Sequence, residues 1–399
     1  MSDVGQLLTC FENGKLIRPD SSRANLIDLV QAVTTIAGVN NLPLNSNARE
    51  IGASIGDPEH LIFVLVDGLG SSHFDALPAD SWLRTHFSME LQTVFPSTTA
   101  TSITSVMTGV WPTQHNIVGW WTYIPKLRET ACVLPFVRYR DGVPLLECGI
   151  SHHDVFGAKP LMNDIPLPRA VIQHSSIIDS TYSGWFSSGA DLLPYDTDED
   201  AIETIAEYVR GARNPTHCYW YTSAIDHATH DHGTDSDEVR AILTDFDRNL
   251  AILANDLHGL DARIILTADH GHRNAGSRFR IEPDDPLCTF LRTPPSGDMR
   301  VGFYHLQEGA EQPFRHEFRA RFGDHFALIT TQELEELRLL GPDPLSTAVR
   351  ERVGNLTSIA LDNSVMRYSG NPRGNQFMRQ RSHHSGLSAN EMNIPLVLG

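Results

Sequence analysis

The sequence predicts an α/β fold, a mostly parallel sheet sandwiched by helices with a smaller α+β lid subdomain. Three observations carry this. Strand-sized apolar runs such as "LIFVLV" (61–66), "YWYTSAI" and "RIILTA" alternate with amphipathic stretches of helical spacing. The runs are continuously apolar, as in strands buried on both faces. Residues 275–365 then change character, with "FYHLQEG", "PFRHEFRARFG" and Pro-rich joints, and read as an inserted subdomain.

Taken in order, residues 1–50 are mixed, and "RANLIDLVQAVTTIAG" has helical spacing ending at Gly38. "HLIFVLVDGLG" reads as a buried strand and its exit turn. "SMELQTVFPSTT" is a second strand ending at Pro96, followed by the helix-length "TATSITSVMTG" with Gly109 as C-cap. Residues 120–170, aromatic and Pro-rich, read as irregular structure over the active face. "DEDAIETIAEYVRGA" is an amphipathic helix with an acidic start. "THCYWYTSAID" is a strand, and "DSDEVRAILTDFDRNLAILANDL" a long helix capped by Asp235 or Ser236. "ARIILTADHG" and the terminal "NEMNIPLVLG" supply two more strands. The expected organisation is a core over 1–274, a lid or cap over 275–365, and a return to the core over 366–399.

Bulk properties narrow the function. With a net charge of -18, the surface repels nucleic acid polymers and anionic membranes, so neither is expected as a partner. A small anionic substrate stays compatible, because bound dications invert the local field. The cysteines, Cys10, Cys132, Cys148, Cys218 and Cys288, are odd in number and form no C-x-x-C pair. Free thiols in a reducing compartment follow, and the absence of a signal-peptide pattern or a membrane-length apolar run makes cytoplasm the expected location. A homodimer is compatible with the sequence.

Polar clusters sit where the apolar runs stop. Asp67 follows "LIFVLV", Thr98 and Thr99 follow "LQTVFPS", Asp226 and His230 follow "YWYTSAI", and Asp269 and His270 follow "RIILTA". His383 and His384 precede "IPLVLG". Open parallel sheets bind ligands beyond the carboxyl ends of their strands, so distant segments would deliver these tips to one crevice. Three aspartates and three histidines (His230, His270 and one of His383 or His384) are too many ligands for one tetrahedral ion and about right for two. Mixed carboxylate and imidazole donors suit zinc, with manganese as the alternative.

"VDGLG", "FPSTTATSITSVMTG", "DHATH", "TADHG" and "HHSGLSANEMNIPLVL" occur in the order of the alkaline phosphatase superfamily. Together they most resemble its type I phosphodiesterase/nucleotide pyrophosphatase branch, from about residue 60 to the end, excepting 275–365. The resemblance implies an alkaline phosphatase-like fold and two divalent ions. Asp67, Thr99, Asp269 and His270 would hold one, and Asp226, His230 and His384 the other. His384 fits the family register His-Gly-Gly-Leu-Ser, in which Ser385 replaces the first Gly. The same register implies Thr99 as nucleophile, three residues after Pro96 and ten before Gly109. A hydroxyl at a helix N-terminus is also well placed for an incoming phosphate. Where the family often carries Asn for a phosphate oxygen, this chain has Ser102, a shorter donor. His227, Asp231, His232 and His272 would orient ligands by hydrogen bonds, and "GWWTYIPK" (119–126) offers either a stacking wall or core packing.

The implied activity is hydrolysis of phosphodiester or nucleotide pyrophosphate bonds in a small phosphorylated substrate such as a nucleotide, through a phospho-threonine intermediate. A phosphomonoesterase or phosphonate hydrolase of the same superfamily is the alternative, and a non-catalytic metal-binding protein a more distant one. No Arg or Lys occurs between 91 and 125, which favours a diester over a terminal phosphate. No C-x-[PA]-x-R sequence supports a sulfatase and no H-E-x-x-H helix a zinc protease.

Overall fold

A computed structural model describes residues 2–370 and 377–399, so six residues of the C-terminal return lie outside the description. Its centre is a seven-stranded sheet in the order Phe87–Gln92, Asn393–Leu398, Ala262–Ala268, His60–Val66, Thr216–Thr222, Arg169–His174, Asp191–Tyr195. The last five strands pair in parallel. His60–Val66 and Thr216–Thr222 are buried at every position, which explains their unbroken apolar runs. Helices flank the sheet. Thr99–Thr108 packs with Leu26–Ile36, and Asp198–Gly211 with Asp237–Asp256, whose N-cap is Ser236.

Asn393–Leu398 runs antiparallel to both neighbours. A residue just before this strand therefore stands at the same sheet edge as residues just after the parallel ones. This reversal brings the His383-His384 segment beside Asp67, Asp226 and Asp269.

The 275–365 segment supplies four strands of a second, antiparallel seven-stranded sheet: Phe326–Thr330, Leu356–Ala360, Val301–Tyr304 and Ser296–Gly297. The other three, Trp121–Ile124, Glu129–Cys132 and Val137–Arg138, come from the stretch expected to be irregular. Strands of four, four and two residues, separated by turns with Arg128 and Phe136 at positive φ, are too short to show a period. The helix Asp3–Glu12, not foreseen in the sequence, also joins this layer: Leu7 enters its core and Asp3 Oδ1 accepts from the Leu328 N–H at 3.0 Å. Among the described residues no helix is long and apolar enough to cross a membrane.

Candidate metal centre and active site

Asp67 and Asp269 leave the ends of adjacent parallel strands, His60–Val66 and Ala262–Ala268. Backbone groups fix them. Asp269 Oδ1 accepts from the N–H groups of Gly68 (3.0 Å) and His270 (2.9 Å), and Tyr221 donates to Asp67 Oδ2 at 2.5 Å. The other oxygens, Asp67 Oδ1 and Asp269 Oδ2, are buried with no hydrogen-bond partner among the described residues. His270 Nε2 faces both, at 3.4 and 3.2 Å, and Thr99 Oγ1 lies 3.1 Å from the same nitrogen. Tight turns make this approach possible. A Cβ on Gly68 would stand 2.8 Å from His272 Nε2, and one on Gly271 would stand 2.1 Å from the Asn390 carbonyl oxygen.

Burial, reinforced by the carboxylates of Asp269 and Asp226, pushes Asp67 well above the usual carboxylate range. Burial also raises Asp269 to about 7 and drives the His270 imidazole down to about 3. Two buried carboxyls facing a neutral imidazole, each with an unpartnered oxygen, form a donor set that a divalent cation would complete.

A second cluster centres on Asp226, in the first turn of helix Ala224–His232. His230, one turn on, places Nε2 3.5 Å from Asp226 Oδ1, His384 reaches it at 3.9 Å and His272 at 2.8 Å. Burial opposes ionisation of Asp226, but His230, His272 and His384 outweigh it and hold the carboxyl well below its usual range. His230, His384 and His270 direct Nδ1 to the carbonyl oxygens of Ser382 (2.8 Å), Ser97 (3.2 Å) and Gly271 (3.2 Å). A carbonyl only accepts, so Nδ1 carries the proton and each Nε2 presents a lone pair inward. The rings of His270 and His384 stack at 3.8 Å, bringing the two clusters into contact.

The sequence-predicted residues Asp67, Thr99, Asp226, His230, Asp269, His270 and His384 thus converge on one site. His383 lies beside it with a buried, unpartnered Nε2, but His384 is the one grouped with Asp226 and His270 among the described residues. Ser102 does not reach the site. It is fully buried one turn into helix Thr99–Thr108, with its hydroxyl 3.3 Å from Thr93 Oγ1. His227, Asp231 and His232 are exposed, whereas His272 is fully buried between Asp226 and the Ser382 hydroxyl (3.0 Å). Tyr221 was not foreseen. It is an apolar-looking position inside a strand, and only the parallel register with His60–Val66 puts its hydroxyl on Asp67.

A cleft of about 270 Å³ opens over the clusters. Thr99, Asp226, His230 and His384 form one side. Trp120, Trp121, Asp298 and Phe377 form the other, so "GWWTYIPK" contributes a wall. Neither Arg nor Lys lines the cleft among the described residues.

Residues 61–141 and 155–360 match the type I phosphodiesterase / nucleotide pyrophosphatase family. The chain belongs to that family. Its match runs through most of 275–365. Solved structures with the same alkaline phosphatase-like fold include murine ectonucleotide pyrophosphatase / phosphodiesterase 5, at 18% identity and a TM-score of 0.61, covering 84% of this chain and 87% of that one. The same murine protein is known as an inactive variant in complex with AMP. Phosphonoacetate hydrolase from Sinorhizobium meliloti 1021, in complex with phosphonoformate, is similar at 19% identity and a TM-score of 0.58, covering 86% and 90%. No curated protein matches the sequence. As a type I phosphodiesterase family member, the chain is a hydrolase of phosphoester-type bonds with Asp/His clusters suited to metal.

Proposed function

We propose that this protein is a two-metal phosphohydrolase that cleaves phosphodiester or nucleotide pyrophosphate bonds, with Thr99 as nucleophile. The observation that carries the reading is the position of Thr99 Oγ1. It sits at the first residue of a ten-residue helix, 3.1 Å from His270 Nε2 and lining the cleft. Asp67, Thr99, Asp269 and His270 would hold one ion, and Asp226, His230 and His384 the other. Zinc suits this mixture of donors best, with manganese next. A bound dication supplies Lewis acidity and eases loss of the threonine proton.

The chain's own groups do the rest. Helix Thr99–Thr108 presents the free N–H groups of its first turn to the non-bridging oxygens of a phosphoryl group. Thr99 Oγ bonds to phosphorus as the bond to the leaving oxygen breaks, and water then cleaves the phospho-threonine. Two features support a diester or pyrophosphate. Among the described residues the cleft has no Lys or Arg to neutralise a terminal phosphate, and its aromatic wall suits an organic ester group such as a nucleoside. Phosphonate hydrolysis is the second reading, favoured by the likeness to phosphonoacetate hydrolase.

The test compares the nitrophenyl ester of thymidine monophosphate, nitrophenyl phosphate and phosphonoacetate, with zinc and with manganese. A clear preference in kcat/KM for the thymidine ester is expected. A large preference for nitrophenyl phosphate or phosphonoacetate overturns the diester assignment, and no turnover of any of them overturns the enzyme reading.

A further inference from the structure

Behind the aromatic wall lies a small cavity of about 40 Å³ that shares Trp121, Asp298 and Met299 with the cleft. Arg367 lines it. This side chain is only 5% exposed, and its guanidinium is clamped between the rings of Trp121 (3.9 Å) and Phe377 (4.6 Å). One nitrogen, Nη2, donates to the Tyr139 hydroxyl at 3.1 Å. Among the described residues Nε and Nη1 are buried with no partner, and no carboxylate oxygen comes within 4.0 Å of the guanidinium. The hydroxyl of Ser296, on the same cavity, is also buried and unpartnered.

Burying a cation without a counter-ion is costly unless an anion joins it, and buried donors are rarely left unpaired. Here two such side chains, from strands distant in sequence, open onto one void. Its volume accommodates about two or three waters, hence an ion of formate or chloride size. The nearby Asp298 carboxyl offsets the guanidinium only in part and forms no ion pair with it among the described residues. Asp298 Oδ2 is occupied by the Trp120 N–H at 2.9 Å, and burial pushes this carboxyl up to about 7.

We infer that Arg367 and Ser296 form a binding site for a small monoanion, a carboxylate or halide, set into the wall of the catalytic cleft. The anion is either a free ion or the carboxylate arm of a substrate whose phosphorus lies at Thr99. An occupied site neutralises Arg367 and fixes Trp121, so it sets the shape of the wall that the substrate meets. Binding of the free anion needs no metal, so its failure and that of the phosphohydrolase reading are distinguishable.

The experiment is calorimetric titration of the full-length, chelator-treated protein with sodium formate and sodium chloride. Gluconate, too large for the cavity, holds the ionic strength constant. Saturable binding is expected, weakened about tenfold or more in Arg367→Met and by a smaller factor in Ser296→Ala. Absence of saturable binding by the native protein, or unchanged affinity in a folded Arg367→Met, overturns the site. If Arg367→Met does not fold, unchanged affinity in Ser296→Ala does so instead. In the metal-loaded protein, displacement of chloride by phosphonoacetate but not methylphosphonate assigns the site to a substrate carboxylate. Displacement by neither assigns it to a free anion.

Discussion

Thr99 Oγ1 stands 3.1 Å from Nε2 of His270, a residue 171 positions later in the chain. The first turn of one helix thereby meets the end of a central strand, and the hydroxyl shares the His270 Nε2 that faces the two unpartnered carboxylate oxygens of Asp67 and Asp269.

Removing that hydroxyl separates chemistry from metal binding. Thr99→Ala is expected to lower turnover by about three orders of magnitude or more, while Asp67, Asp269 and His270 still retain metal by elemental analysis. Thr99→Ser, which keeps the oxygen, should recover part of the rate. Near-native turnover in the alanine variant removes Thr99 from its role.

How far this site was legible in the sequence follows from what each residue reports locally. Asp67, Asp226 and Asp269 each end a continuous apolar run, and Asp226 with His230 forms an i, i+4 pair on a helix, so a single segment displays each signal. The short strands Trp121–Ile124, Glu129–Cys132 and Val137–Arg138 show no period, so 120–170 reads as irregular although it supplies three strands of the second sheet. Tyr221 and Arg367 act through partners brought by pairing and packing, which no local pattern encodes. Ser102 shows the converse. Its spacing pointed to the substrate, but at i+3 from Thr99 its hydroxyl turns into the packed interior against Thr93.

His272 holds Asp226 from behind, with Nε2 on the carboxylate at 2.8 Å and Nδ1 on Ser382 Oγ at 3.0 Å. Groups that brace ligands in this way typically contribute about 10–100-fold in metal affinity. His272→Ala should therefore weaken one of two bound ions by that factor and regain most turnover at saturating metal. Unchanged affinity removes the bracing role, and permanent loss of one ion makes His272 a ligand instead.

A buried ion pair controls the loop that carries His384. Arg300 Nε and Nη2 donate to the two oxygens of Glu391 at 2.6 and 3.0 Å, and Glu391 also accepts from the N–H of Gly386 (2.8 Å) and the hydroxyl of Ser388 (2.6 Å). Ser385, held at φ +91°, accepts from the Arg300 N–H at 3.2 Å, and its own N–H donates to the Ser97 carbonyl at 2.7 Å. His384 and the approach to Thr99 are thus tied to one clamp. Glu391→Gln leaves a buried guanidinium uncompensated and should destabilise the protein by about 3–5 kcal/mol. The double variant Arg300→Met/Glu391→Met should lose less than the sum of the single changes. Additive losses in denaturant unfolding would show that the pair is not coupled.

Acid stability should depend on histidines away from the metal clusters. His115 is fully buried, with Nδ1 accepting from the Ile117 N–H at 3.1 Å and Nε2 at 2.9 Å from the Ser105 hydroxyl, an arrangement that requires the neutral ring. Burial, with the nearby Arg352 cation, holds its imidazole down at about 3. Between that value and the ordinary 6.5, the unfolded chain binds a proton that the folded chain does not. The contribution is therefore complete above pH 6.5, and it is lost as the pH falls toward 3. Its size is on the order of a few kcal/mol. His217, lowered to about 4 mainly by burial, acts in the same direction. In chelator-treated protein, urea unfolding at pH 7 and pH 5 should show a smaller difference for His115→Gln than for the native chain, even though the variant is less stable at pH 7. An equal difference in the two proteins would mean that His115 accepts a proton within the fold, and that Ile117 and Ser105 do not hold it neutral.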